Sequence, residues 1–467
     1  MYPILAIDQG TSSTKAYRSD GPGHLAFIGS RAHRQIRPHT GWVEHDPAEL
    51  LDHIKSLLTA AGPVATCGLA NQGETVVAWD GQTKRPLGNA IVWQDERTAP
   101  DIARLLASGG EAITRARAGL PLDPYFSASK LRWLLDHADG ATELRQAGRL
   151  RLGTSDAFFI DSLTATFATD VSTASRTSLM DLRTLNWDAE LCALFSVPIE
   201  CLPEIRPTVG DFGRLEGGAR LVASAVDQQA ALFGHGCQAA GDVKITFGTG
   251  AFALGLTGAA PVLDAGGLLP TVAWQVRGAA PQYALDGGIL TAGAALEWLR
   301  NIGLLDDFAA LDAPGQPSAA AQNLFFIPAQ AGLGCPYWDR TATGAWIGLG
   351  LDTHRAALAQ AVLEGIALRA AQLVDAFAAV APVKRLSIDG GISRSIKFSQ
   401  FLANATGRTI HVADHADLTA LGILGLCGGS PVPSQGWRAV PPAGQDFTEI
   451  RRRFVDAVER ARGWTAR

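Results

Sequence analysis

A short apolar run that ends in an acidic, glycine- and hydroxyl-rich turn occurs twice in this 467-residue chain, once at its start and once just past its middle. Ile4–Ile7 leads into Asp8-Gln9-Gly10-Thr11-Ser12-Ser13-Thr14-Lys15, and Val243–Phe247 leads into Gly248-Thr249-Gly250. Two like halves, each offering one such turn, set the turns face to face across a cleft. Leu221–Val226 ends at Asp227 and Leu386–Ile388 at Asp389 in the same manner. Helical spacing over 356–378, where Leu358, Val362 and Ile366 recur every four residues, and over 128–138 around Lys130, Leu131, Trp133 and Leu134, alternates with these strands. The class is therefore α/β or α+β. The lack of a repeat of about 20–50 residues excludes a solenoid or propeller.

The length allows two to four compact units at ~100–200 residues each. A hydrophobic fraction of 47% with a net charge of −5 excludes a disordered chain. The balance of 40 Lys+Arg against 45 Asp+Glu gives no footprint for nucleic acid or an anionic membrane. No uninterrupted apolar run reaches the ~20 residues that span a bilayer. The start, Met1-Tyr2-Pro3-Ile4, carries no basic leader. Six scattered cysteines without a C-x-x-C pair fit free thiols in a reducing cytoplasm. The expectation is a cytoplasmic protein that engages neither nucleic acid nor membrane.

The P-loop, G-x-G-x-x-G, H-E-x-x-H and G-x-S-x-G patterns are all missing, so any phosphate chemistry uses another cradle. In Asp8–Lys15, Gly10 permits a tight turn whose N–H groups can nest an anion. Thr11, Ser12, Ser13 and Lys15 add donors there, and Asp8 can hold a hydrated Mg²⁺. The alternative is a polar hairpin closed by an Asx-turn. Asp227 is either a general base for phosphoryl transfer or an N-cap. Gly248-Thr249-Gly250 is a second phosphate turn or an ordinary hairpin. Asp389-Gly390-Gly391 lets a base or ribose approach the backbone, or closes a strand-to-helix turn. Asn71-Gln72-Gly73-Glu74-Thr75 with Trp93-Gln94 suits a polyol, whose C–H faces pack on rings while its hydroxyls hydrogen-bond. Its alternative is a surface loop with a core Trp.

With these motifs in this order, the chain resembles the FGGY carbohydrate kinases from end to end and, among them, is most similar to the glycerol kinases. The resemblance is carried by Asp8–Lys15, Gly41–Pro47, Asn89–Gln94, Asp123–Ser127, Ala174–Thr177, Leu202–Glu204, Asp227–Gly234, Gly248–Gly250 and Gly332–Asp339. One family signature is met from Tyr125 to His137 through Ser127, Lys130, Trp133 and Asp136; a second, Gly344 to Glu364, departs only at Ala357. The resemblance implies an actin-like ATPase fold of two ribonuclease-H-like domains around a cleft. Residues 1–236 would be the sugar- or polyol-binding domain and 237–467 the nucleotide-binding one. It implies ATP and Mg²⁺, with Asp227 as catalytic base and Asp8 serving the metal. Thr11, Ser12, Ser13, Lys15, Gly248, Thr249, Gly293, Gly391 and Ser395 would lie on the nucleotide. Glu74, Trp93, Tyr125, Asp227, Gln228 and Phe252 would surround the acceptor.

Three departures carry consequences. Glycerol kinases have Arg where this chain has Gly73, so a charged donor is lost and space is expected to open for a larger acceptor. Lys15 and Ser395 stand where those kinases have Arg and Asn. The expected activity is transfer of the ATP γ-phosphate to a small polyol or sugar, with a four- or five-carbon acceptor favoured. True glycerol kinase is the alternative, and a catalytically silent nucleotide- or sugar-binding regulator a third. A small-molecule substrate is the expected partner, with a homodimer open as the assembly.

Overall fold

The computed structural model describes residues 3–21, 24–313, 315, 317–414, 417–429 and 436–464; Met1 and Tyr2, where the leader was sought, lie outside these. Its two main sheets share one winding. In the N-terminal half, Ile4–Gln9 pairs antiparallel with Ser13–Gly21, which pairs antiparallel with His24–Ala32. Its other edge runs parallel to Thr66–Asn71, which in turn runs parallel to Arg220–Val226. In the C-terminal half, Asp242–Phe247 pairs antiparallel with Ala251–Gly258, and that strand with Gln282–Ile289. Its other edge runs parallel to Arg385–Gly390 and then Ile410–Ala413. Strand for strand the order is third, second, first, fourth, fifth in both. The C-terminal sheet adds Leu269–Trp274 at one edge and Trp437–Val440 at the other. The twofold strand-and-turn pattern is thus a real internal duplication of structure.

Each first strand is buried in mid-sheet, so apolar side chains dominate it, with Lys244 the buried exception in the second. Parallel neighbours force both Asp8 and the 248–250 turn to the same carboxyl-terminal edge of their sheets, where crevices form in open α/β folds. A smaller sheet of Glu44–His45, Ala90–Ile91, Val76–Asp80 and Leu150–Thr154 is inserted in the N-terminal half. Helix Ser127–His137 packs on it through Ala128, Leu131 and Leu134. This insert delivers Trp93 and Tyr125 to the cleft.

The halves are joined by two crossing helices, Asp227–Gly234 and Leu418–Gly428. One continuous apolar cluster takes Ala6, Ala70 and Ala225 from the first sheet and Leu254, Leu256 and Ala284 from the second, bridged by Leu232, Ile423 and Leu424. The helices approach backbone to backbone: a Cβ at Gly422 would lie 1.7 Å from the Ala230 carbonyl oxygen. No side chain fits there, so glycine sets the crossing and with it the placement of Asp227. Helix Arg355–Val380 alone among the described residues is long and apolar enough to cross a membrane. With 83% of its most apolar window buried, it forms the spine of the C-terminal core.

Candidate active site

The first turn is a hairpin, as its local chemistry allows. Asp8 faces Lys15 across the strand pair, and Gly10 N–H bonds Ser13 O at 3.1 Å to close the loop. Thr11 Oγ1 accepts from Trp93 Nε1 at 3.0 Å, so the first turn and the Trp93 indole touch. Ser12 is exposed and Ser13 partly so. Lys15 Nζ lies 3.3 Å from Asp417 Oδ1, just ahead of helix Leu418–Gly428, so its charge is partly engaged by the other half. Burial pushes the Asp8 carboxyl up to about 6, with Lys15 opposing and Asp417 adding to the rise.

The second turn is built on the other sheet. Gly248 N–H bonds Gly250 O at 2.8 Å, while Gly248 O and Thr249 O accept from the Gly293 and Ala292 N–H groups at 2.9 Å each. Thr249 and Gly293, distant in sequence, are therefore neighbours; a Cβ at Gly293 would lie 2.5 Å from Gly248 O. Asp389-Gly390-Gly391 ends the adjacent parallel strand, with Phe247 level with Gly390. Gly391 is exposed with open space around it, as an approaching ribose or base requires. Ser395 does something else: its hydroxyl donates to Asp312 Oδ1 at 2.8 Å and accepts from Phe398 N–H at 3.0 Å, capping helix Ile396–Thr406. A serine immediately before a helix is an N-cap signal.

Asp227 opens its helix without capping it; Val226 takes the N-cap position and no side chain caps the helix. The structural alternative for Asp227 therefore lacks its bond. Its carboxyl is pushed up to about 7, first by burial and then by the charge of Asp8, with Lys244 opposing and Glu74 adding. A carboxylate poised near neutrality is what a general base needs. Gln228 Oε1 accepts from Lys244 Nζ, which also donates to Thr246 Oγ1 at 3.0 Å. Lys244 thus reaches across from the C-terminal sheet to the first turn of the Asp227 helix.

Beside Asp227 the acceptor candidates converge from both halves. Trp93 meets Tyr125 edge-on at 5.7 Å and Phe252 at 6.2 Å. Lys130, fully buried, donates to Trp93 O at 3.1 Å and Tyr125 O at 2.9 Å and so fixes that pair. Glu74 is held at φ +60°, a left-handed conformation that a non-glycine residue adopts at some cost, and Ser127 Oγ bonds its carbonyl at 3.0 Å. Its carboxylate receives Arg176 Nε at 2.6 Å, and Arg176 Nη2 continues to Asp286 Oδ2 at 2.9 Å on the C-terminal sheet. The space expected beside Gly73 is partly filled: a Cβ there would lie 3.0 Å from Val226 Cγ1.

Arg176, Asp286, Lys244 and Lys130 escaped the sequence reading as functional residues. Three left a signal: a lone lysine inside the apolar strand at 243–247, Arg176 within the matching segment Ala174–Thr177, and Lys130 within the signature Tyr125–His137. Asp286 left none, because it acts only through a contact made between halves.

The fit to a metal follows from the donor set. The charge of Asp8 raises the proton affinity of Asp227, a repulsion that a divalent cation relieves. No group of three His, Cys, Asp or Glu side chains able to hold a metal occurs among the described residues. Mg²⁺ suits that poverty, since it relies on phosphate oxygens and water with one or two carboxylates.

Residues 3–234 match the N-terminal domain and residues 243–429 the C-terminal domain of the FGGY family of carbohydrate kinases. The chain is 42% identical over 489 residues to the glycerol kinase of Thermus brockianus, covering 99% of each chain. It is 39% identical over 492 residues to that of Alkalilimnicola ehrlichii, again over 99% of each. Among solved structures, Plasmodium falciparum glycerol kinase with ADP superposes with a TM-score of 0.89 at 29% identity over 98% of each chain. Xylulose kinase from Rhodospirillum rubrum, at 24% identity and a TM-score of 0.86 over 100% of each chain, shares the fold.

Proposed function

The chain belongs to the FGGY family of carbohydrate kinases, and from that membership we propose that its acceptor is glycerol. It has the actin-like ATPase fold of two domains and is an ATP-dependent phosphotransferase that acts on a hydroxyl group, with Mg²⁺ accompanying ATP. We assign acceptor binding to 1–236 and nucleotide binding to 237–467.

The observation that carries the glycerol reading is Val226 packed against Gly73. A lost arginine alone favours a longer polyol or ketose, and that is the second reading. A valine methyl fills part of the adjoining space, and Arg176 stands as a guanidinium beside Glu74. The full-length likeness to glycerol kinases supports the same choice.

In this reading Glu74 and Gln228 accept or donate to acceptor hydroxyls while Trp93, Tyr125 and Phe252 pack on the carbon chain. Asp227 takes the proton of the attacking hydroxyl as its oxygen bonds the γ-phosphorus and the bridging oxygen leaves with ADP. Thr11, Ser12, Ser13 and Lys15 from one half, and Gly248, Thr249, Gly293 and Gly391 from the other, hold the nucleotide. Ser395 acts there through its helix rather than its hydroxyl. Mg²⁺, held near Asp8, neutralises the phosphate oxygens. Closing the two halves excludes water and so limits ATP hydrolysis.

The test is ADP release over glycerol, erythritol, the pentitols, xylulose and ribulose, with the phosphorylated product identified. Saturable turnover highest in kcat/KM with glycerol is expected. Highest kcat/KM with a ketose or longer polyol overturns the glycerol reading.

A further inference from the structure

Within the acceptor cluster one buried cation has an open donor. Arg176 is 2% exposed, and its Nε and Nη2 are taken by Glu74 and Asp286, yet Nη1 is buried with no hydrogen-bond partner. Leaving such a group unsatisfied is costly, and a native site tolerates it where a ligand or water completes it. The guanidinium lies 5.8 Å from the Tyr125 ring and 5.5 Å from the Phe126 ring. Tyr125 touches Trp93, so the open donor belongs to the same cluster as the acceptor candidates. Two carboxylates, one from each half, fix the fork; burial opposes its charge, but Glu74 and Asp286 hold it protonated.

We propose that Arg176 Nη1 donates to an acceptor hydroxyl, so that a guanidinium anchored outside the 71–75 loop supplies what Gly73 lacks. The proposal rests on the reading that Glu74, Trp93 and Tyr125 line the acceptor site. Val226 fits the same arrangement: it occupies space a side chain from 73 would meet, and the charge comes instead from Arg176, held at Glu74. Because Asp286 belongs to the C-terminal sheet, the donor is held in place only while the halves are together.

The experiment compares the wild-type chain with Arg176→Lys, which keeps a cation between the two carboxylates but not the planar fork. Each is assayed with glycerol, propane-1,2-diol and propane-1,3-diol, which between them delete each kind of hydroxyl. The acceptor KM of Arg176→Lys is expected to rise about 10- to 100-fold with little change in the KM for ATP, in line with a charged hydrogen bond. The preference for glycerol over one diol should fall about tenfold or more, since the variant no longer rewards that hydroxyl. A purely structural Arg176 leaves the ratio of glycerol to both diols unchanged, and that result overturns the proposal. Should Arg176→Lys fail to give a cooperative melt, Arg176→Gln combined with Gly73→Arg and Val226→Gly brings the guanidinium in from the other side. Restored discrimination supports the proposal, and a folded, ATP-binding triple variant without it overturns it. If the wild-type acceptor is not glycerol, the function reading falls, and the same comparison on deoxy forms of the true acceptor still decides Arg176.

Discussion

Replacing Asp227 with Asn should abolish transfer and at the same time make the protein more stable at alkaline pH. The Asp227 carboxyl is raised from 3.8 to about 7 by burial, by Asp8 and by Glu74, with Lys244 only partly offsetting them. The folded chain therefore binds this proton more tightly than the unfolded chain. Its stabilising contribution is complete below pH 3.8 and is lost as the pH rises through about 7. About three pKa units at about 1.4 kcal/mol each set a ceiling of roughly 4 kcal/mol for the strain of ionising it. Water reaching this partly exposed side chain, and an effective dielectric near 20, bring the expected figure to roughly 2–3 kcal/mol. Asn carries no charge at any pH, so Asp227→Asn should exceed the wild type in urea resistance at pH 8.5 and match it near pH 4. Urea unfolding of the ligand-free chain at pH 4, 7 and 8.5 reads this directly. A variant less stable at every pH, or a difference that does not grow with pH, refutes the argument that this carboxylate is desolvated and repelled by its neighbours.

Three further outcomes are expected. Gly422→Ala should lower stability by about 1–3 kcal/mol or more, as overpacking does, because its Cβ would fall 1.7 Å from Ala230 O; a thermal melt unchanged from wild type contradicts the helix crossing. Trp93→Phe keeps the ring but loses the N–H bond to Thr11 Oγ1, so the KM values for ATP and acceptor should both rise, by about 3- to 10-fold. A change confined to one of them denies that the indole couples the two subsites. Lys130→Met leaves the Trp93 and Tyr125 carbonyls without their donor. Acceptor kcat/KM should fall about tenfold or more while ADP binding, followed by calorimetry, stays at the wild-type value.

The parts of the fold legible in the sequence are those set by local chemistry. An apolar run that ends in Asp8 or at Gly248 states both a strand and where it must stop, and the two copies announce the duplicated winding. Helix 127–137 and the long helix 355–380 follow from spacing alone, within two residues at each end. What escaped depends on how the halves meet. Nothing near Asp286 or Lys244 says that one will hold Arg176 and the other Gln228, because those contacts form only when two sheets far apart in sequence face each other. The Gly73 position illustrates the same limit. Read along the chain it opens a space, whereas the fold brings Val226 from the end of the adjacent parallel strand to fill part of it. Ser395 also carries a local role that a serine directly ahead of a helix signals, the cap of helix Ile396–Thr406.

The central claim is that this cleft passes the ATP γ-phosphate to a glycerol hydroxyl deprotonated by Asp227. The most direct measurement is glycerol-dependent ADP formation by wild type and Asp227→Asn side by side, with ATP affinity determined for both. The account predicts saturable turnover for the wild type and a loss of about 10²–10⁴-fold or more for the variant at equal ATP affinity. Turnover by the variant close to that of the wild type, or a wild type that binds ATP and leaves glycerol unphosphorylated, would contradict it.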